Sequence, residues 1–209
     1  MKTTQYKNIK MLAGQGHYPG SGPLSNNNYT EEIKDFQMVL NDIKNTQNTH
    51  PVMMEIGAFW AFWSLMFRDT FKHGKNILIE PIQQHLNVGL KNFQINDFDC
   101  SSYHAAFNID TQCTLFTKNI VSFEHVWNEE KLDTLDLLHA DIQGAELPLL
   151  EKLDQDQYLH DNKIKMLVIA THSKIIHQKI LEIFKRNHYN IKINRPFMKT
   201  DGYIYATKI

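Results

Sequence analysis

The sequence is poor in cysteine, in net charge and in long apolar runs. Its two cysteines, Cys100 and Cys113, are too few for a disulfide framework, and no Cys/His spacing matches a structural zinc site. A reducing compartment, the cytoplasm, is therefore expected. Lys and Arg number 22 against 23 Asp and Glu, a formal net charge of −1. A chain that tracks phosphates through its bulk charge carries a basic excess, so nucleic-acid binding is not expected. Neither is a polybasic membrane-surface module or an acidic disordered tail. The longest apolar run, 57–67, falls well short of the roughly 18 residues of a membrane span. Residues 1–10 lack the apolar stretch of a signal peptide. A full Gly-x-Gly-x-x-Gly loop is also missing, which disfavours a dinucleotide cofactor and the nicotinamide-dependent oxidoreductases with it.

What is present is 209 residues, 42% hydrophobic and 11% aromatic, enough for one domain with a sizeable core plus an arm. Residues 1–28 read as the arm. Gly14, Gly16, Pro19, Gly20, Gly22, Pro23 and the run Asn26–Asn28 discourage regular elements there. The embedded His17 and Tyr18 allow the arm a lid role; otherwise it is a loose terminus. The domain then spans 29–209. Asn28 or Thr30, with Glu31, reads as a helix cap, and Ile33, Phe36, Val39, Leu40 and Ile43 recur at helical spacing.

From residue 52 the chain alternates. Strands are expected over 52–56, 76–80, 101–107, 135–140 and 165–170, with a short extra strand at Thr114–Phe116. Helices are expected over 61–71, 83–93, 123–130 and 146–153, and from the cap Ser173 to Asn187. Two closing strands, 189–194 and 202–208, lie too close for a helix between them and should pair as an antiparallel hairpin. Continuous apolar strands alternating with helices imply a parallel sheet covered on both faces. The expected fold class is α/β: a mostly parallel seven-stranded sheet, helices on both faces, and a C-terminal antiparallel hairpin. That is the architecture of the Rossmann-like class I methyltransferases.

In such a sheet, ligands sit at the carboxyl ends of the strands. Glu55, Glu80, Asp141 and His172 fall there. Gly57 allows a tight turn and close backbone approach, and the helix after it points its N-terminus at the same spot, where a carboxylate is stabilised. Ser64 could add a hydroxyl. Glu80, placed on the next strand, suits hydrogen bonds to a ribose diol. These features favour a cofactor with a ribose and a small carboxylate, such as S-adenosylmethionine. At least two of Phe59, Trp60, Phe62 and Trp63 are expected to be core.

Here the sequence resembles a family. Met54–Ser64 is similar to the first motif of the FkbM-type methyltransferases, Ile79-Glu80-Pro81 to their second, and Leu138–Glu146 to their hallmark Asp-x-x-Gly-x-Glu segment. Thr171-His172-Ser173 with His177, and Asp201–Ala206, also fit. The resemblance covers 50–209; its departure is Ala61, where many members carry glycine. It implies transfer of a methyl group from S-adenosylmethionine to a sugar or polyketide hydroxyl. It also implies that Glu55, Gly57, Ala58, Phe59, Trp60 and Ser64 hold the methionine end, and that Glu80 holds the ribose with Pro81 shaping the turn. His104, Ala105 and Ala106 would flank the adenine. Asp141, Ile142 and Gln143 would lie between sulfonium and acceptor.

A sugar hydroxyl is about as weak an acid as water, so a general base is expected. His172 is assigned as base or acceptor contact and Asp141 as its orienting partner, with the reverse assignment open. No metal is assigned. The competing idea is a divalent ion near His139, Asp141 and His172, but the first lies below the other two along its strand. The leading expectation is a sugar O-methyltransferase taking a free sugar, a nucleotide-sugar or a glycan precursor. N-methylation of a small phosphorylated amine and a non-catalytic nucleotide-binding module are the alternatives. A homodimer is left open, the N-terminal stretch being the place to encode it or the choice of acceptor.

Overall fold

The structure, a computed structural model, describes residues 3–12, 29–107, 119–160, 162–198 and 200–208. Its centre is a seven-stranded sheet. In chain order its strands are β3 (Val52–Ile56), β4 (Lys75–Ile79), β5 (Ser101–Tyr103), β8 (Leu135–Ala140), β9 (Ile164–Thr171), β10 (Tyr189–Arg195) and β11 (Gly202–Lys208). Their order across the sheet is β10-β11-β9-β8-β3-β4-β5, parallel except that β11 runs antiparallel to both neighbours. The Rossmann-like α/β expectation and the closing hairpin therefore hold.

Period-two alternation divides the strands' side chains between two cores. Met54, Ile56, Ile77, Ile79, Leu138, Leu167, Ile169 and Ile204 share one face. Against it pack α4 (Phe123–Glu129), α5 (Glu146–Gln155) and α6 (Lys174–Arg186), through residues such as Val126, Leu150 and Phe184. Met53, Leu78, Leu137, Met166, Val168, Tyr203 and Tyr205 face the other way. There they meet α1 (Tyr29–Asn45), α2 (Phe62–Thr70) and α3 (Gln83–Gln94), which bury Phe36, Val39, Leu40, Ile43, Leu65, Phe67 and Phe93. Each large side chain fully withdrawn from water contributes roughly 1.5–3 kcal/mol, so this double core is the main stabilising term.

Two local expectations change. The stretch 1–28 is not featureless: β1 (Thr3–Tyr6) and β2 (Ile9–Leu12) form an antiparallel hairpin, with Ile9 and Met11 buried in the α1–α3 core. The hairpin is legible afterwards as apolar alternation over 9–12, but the glycines further on obscured it. On its outer side, Asn96 bonds the amide and carbonyl of Lys10, and Asn92 Oδ1 accepts from the Leu12 amide at 2.8 Å. The expected third strand splits. Its second part, β6 (Ala106–Phe107), leaves the main sheet to pair in parallel with β7 (Ile120–Val121). The break falls at His104, whose ring nitrogen bonds the Pro81 carbonyl at 3.0 Å. The lid idea, the Asn28 cap and the strand at 114–116 lie outside the described residues. Among those described, no helix is long and apolar enough to cross a membrane.

The closing hairpin is pinned by one buried side chain. His177 on α6 bridges Thr171 Oγ1 and Asn194 Oδ1, both at 2.8 Å. Gly202 sits against it: a Cβ there would lie 2.3 Å from Thr171 Oγ1, 2.7 Å from the Phe197 nitrogen and 2.9 Å from His177 Nδ1. Gly202→Ala is expected to cost about 1–3 kcal/mol by overpacking, read as a lowered urea midpoint; an unchanged midpoint would contradict this packing.

Candidate functional site

The sheet order places the carboxyl ends of β5, β4, β3, β8 and β9 side by side. The loops leaving them therefore form one continuous edge, and Gly57, Glu80, Asp141 and His172 lie on it.

The loop after β3 is unusually twisted. Gly57, Phe59 and Ala61 all have positive φ, at 77°, 47° and 60°. Gly57 is forced by contact as well as by torsion, since a Cβ there would stand 2.0 Å from the Asp141 carbonyl oxygen. Its amide and that of Ala58 both donate to the Ile79 carbonyl. Ala61 caps α2 in a conformation natural to glycine, which explains why glycine would suit that position; alanine there carries some backbone strain. Trp60 and Phe62 are core, as expected for two of the four aromatics, while Phe59 is half-buried and stacks on Trp60 at 4.6 Å between ring centroids. Trp63 lies partly buried against Phe36 and His139.

Glu80 stands directly after β4. Its Oε2 accepts from the Phe59 amide at 2.8 Å and its Oε1 from the Ile82 amide at 2.9 Å. It thus ties two loops together, and two amides do not exhaust the lone pairs of a carboxylate. Burial pushes its pKa up, against those two amides and the nearby His85. His104, bonded to Pro81, and Ala105, buried in the α4–α6 core, form the wall beyond.

Glu55 and Ser64 were assigned to the cofactor, but the structure turns them inward. Both are essentially fully buried, and the Ser64 amide donates to Glu55 Oε2 at 3.1 Å. Burial pushes the Glu55 pKa up to about 8 despite the hydrogen bonds from Ser64, so the side chain is protonated at neutral pH. His139, 3.9 Å away, is driven down to about 4 by burial and is neutral. The two form an uncharged polar layer beneath the loop, out of contact with the crevice.

The turn after β8 explains the Asp-x-x-Gly-x-Glu pattern. Glu146, at the start of α5 and wholly buried, reaches back so that Oε1 accepts from the amides of Ile142 (2.9 Å) and Gly144 (3.2 Å). Its Oε2 takes a further contact from the Gly144 amide at 3.1 Å. Gly144 has φ 109°, which only glycine adopts readily. So held, the turn leaves Gln143 exposed and presents Asp141 with 41% of its side chain accessible. Gln143 Nε2 donates to Asp141 Oδ1 at 3.0 Å.

His172, at the end of β9, completes the group. Its Nδ1 lies 2.9 Å from Glu146 Oε1, and its Nε2 lies 3.3 Å from Asp141 Oδ1 and 3.8 Å from Asp201 Oδ2. The two nearer carboxylates act on the ring both as hydrogen-bond acceptors and as charges. Burial opposes a charged ring, yet Asp141 and Glu146 outweigh it and push the pKa up to about 10. His172 therefore already carries its proton at neutral pH. This corrects its assignment as general base: it is a held imidazolium. Burial raises the Asp141 carboxyl, but the hydrogen bond and charge of His172 outweigh that and hold it below its ordinary range.

Sequence reasoning missed a second group of side chains near Asp141. Glu32, in the first turn of α1, is pushed up to about 7 by burial and by the charges of Asp141 and Asp201. The Tyr203 hydroxyl is buried with no hydrogen-bond partner among the described residues, and it feels the charges of Asp35 and Glu32. Arg195 pairs with Asp35 at 2.7 Å. The only sequence signal was the acidic pair at 31–32, which reads equally as a capped helix start. Among the described residues, Asp141, Glu146 and His172 also offer one ligand atom each, all within 4.8 Å of one another.

No protein-family model matches this chain, and no curated protein matches it either. Solved structures do. The chain is similar to the METTL16 MTase domain, with a TM-score of 0.64 at 11% identity, covering 96% of this chain and 73% of that one. It is similar to a precorrin-6y C5,15-methyltransferase from Geobacter metallireducens GS-15, with a TM-score of 0.60 at 14% identity, covering 98% and 100%. The N-terminal domain of human METTL16 in complex with SAH matches at a TM-score of 0.58 and 12% identity, covering 84% and 69%. At such identities the likeness is one of fold: the chain has the Rossmann-like methyltransferase fold.

The neutral layer has a pH consequence. Because the folded pKa of Glu55 is raised, its contribution to stability is fully present below its unfolded value of 4.5 and is lost as pH rises through about 8. Glu55→Gln keeps an acceptor for the Ser64 amide and removes the titration. Its urea midpoint should exceed that of the parent at pH 8.5 and converge on it near pH 5; equal pH dependence of the two proteins would contradict a buried, protonated Glu55.

Proposed function

We propose that the protein is an S-adenosylmethionine-dependent methyltransferase that methylates a hydroxyl of a small sugar acceptor. The observation that carries this reading is the single edge on which Gly57, Glu80, Asp141 and His172 meet, in a fold similar to that of solved methyltransferase structures. The residues fit that cofactor. Gly57 brings bare backbone to the crevice floor, and the α2 N-terminus points there, suiting a carboxylate. Glu80 keeps lone pairs for a ribose diol. The methionine end falls to Gly57–Trp60, the adenine to His104 and Ala105, and the space between sulfonium and acceptor to Asp141, Ile142 and Gln143. Glu55 and Ser64 support the loop from beneath. When bound, the cofactor supplies an activated methyl group.

The chain's own task is alignment and proton removal. Asp141, anionic and partly exposed, orients the acceptor hydroxyl, and protonated His172 fixes Asp141. Glu32, with a pKa near the working pH, takes the proton. The acceptor end carries Glu32, Asp35, Asp141, Glu146 and Asp201 against His172 and Arg195. That excess of acid favours a neutral or amino-substituted sugar over one bearing phosphates. A second reading rests on the convergence of Asp141, Glu146 and His172: a divalent ion there would replace the proton on His172. Turnover abolished by EDTA and restored by a divalent salt would favour it.

The direct test is incubation with labelled S-adenosylmethionine and panels of neutral sugars, amino sugars, nucleotide-sugars and phosphorylated amines, with products read by mass. Methylation at nitrogen would replace this reading, and calorimetry without cofactor binding would leave only a non-catalytic module. Glu80→Ala should weaken cofactor affinity at least tenfold. Asp141→Asn and Glu32→Gln should each lower kcat about 10²-fold with little change in cofactor affinity. In Glu32→Gln the rise of kcat with pH near 7 should also disappear.

A further inference from the structure

A second polar cleft lies at the opposite ends of the same strands. It has a volume of about 540 Å³ and sits where the turn between α2 and β4 meets the starts of β4 and β5. Arg68, Lys72 and Lys75 line it, with His50 and His73, whose rings stand 5.8 Å apart. Asp99 is the one carboxylate in the lining. The partners of the two lysines, Asp69 for Lys72 at 2.8 Å and Glu130 for Lys75 at 2.9 Å, lie outside it.

Two buried groups on this cleft lack partners among the described residues. Asn76 is completely buried, yet neither its Nδ2 nor its Oδ1 has a hydrogen-bond partner. Arg68 Nε is in the same state. A buried donor without an acceptor costs about 1–3 kcal/mol, so two of them on one cleft mark a place where an acceptor-rich ligand belongs. The guanidinium is held in position by the Gly74 carbonyl and by the Phe98 ring 5.4 Å away. Its outer nitrogen is taken by Asp99 at 2.5 Å. The Asp99 side chain is 92% exposed, so it can leave that nitrogen at little cost.

We infer that this cleft binds the phosphate group of a small ligand, with Asp99 occupying the anion's place in its absence. Phosphate oxygens would accept from Arg68, the Asn76 amide and the lysines, and a protonated phosphate oxygen or ligand hydroxyl would satisfy Asn76 Oδ1. The cleft's buried floor and the chain's net charge of −1 favour a small phosphate compound over a polynucleotide.

The test is titration of the full chain with inorganic phosphate and, separately, ribose 5-phosphate, followed in ¹H–¹⁵N NMR spectra by the side-chain amide of Asn76. Saturable shifts are expected with at least one of them; tighter binding of the ester identifies an organic phosphate, and equal binding the free ion. Lys72→Gln should weaken the affinity at least fivefold, and Asp99→Asn should strengthen it at least threefold, since it removes the competing carboxylate. Both substitutions are at exposed side chains, so folding is retained. No saturable shift with either probe, variants that leave affinity unchanged or move it the same way, or a single-stranded oligonucleotide that binds far more tightly than both would each overturn the proposal. Methyl transfer is not read in any arm, so the outcome is independent of the function proposed above.

Discussion

Everything at the crevice depends on one buried carboxylate bonded to its own turn. Glu146 has no access to water, so its oxygens must be met from within the protein, and the amides of Ile142 and Gly144 meet them. That requirement folds the chain after β8 into a single shape. The shape sets where Asp141 stands, and it places a fixed negative group behind His172. Gly57 then packs its bare Cα against the Asp141 carbonyl. The loop after β3 and the turn after β8 therefore cannot move separately.

Charge is arranged in two levels. Beneath the loop, Glu55 and His139 are both neutral, because burial without a strong ionic partner favours the uncharged form of each. One layer higher, at the strand ends, Asp141 and His172 are both charged, because each supplies what the other needs. Residues of the same chemical kind on one sheet edge thus differ in protonation according to whether a charged neighbour reaches them.

Much of this was legible in the sequence where a residue's role follows from its position on a strand. Continuous apolar strands alternating with helices gave a parallel sheet covered on both faces, and strand ends gave Glu80, Asp141 and His172. What escaped was set by partners distant in sequence. His172 reads as a base until Glu146 and Asp141 are seen against it. Glu55 and Ser64 read as ligand contacts until their side chains are found turned toward each other. The raised pKa of Glu32 escaped as well, since it is set by burial and, after that, chiefly by Asp141 and Asp201, far along the chain.

Two asparagines, Asn92 on α3 and Asn96 just past its end, act on the N-terminal hairpin much as a third strand would. Asn96 holds both the amide and the carbonyl of Lys10, and Asn92 accepts from Leu12 while donating to the Trp60 carbonyl. The side of β2 turned away from β1 therefore has both backbone groups of Lys10 and the amide of Leu12 occupied. An isolated two-stranded ribbon ordinarily offers such an edge to any extended chain that meets it. Here side chains have closed it, so the hairpin joins the rest of the domain without leaving that edge as a template for strand addition.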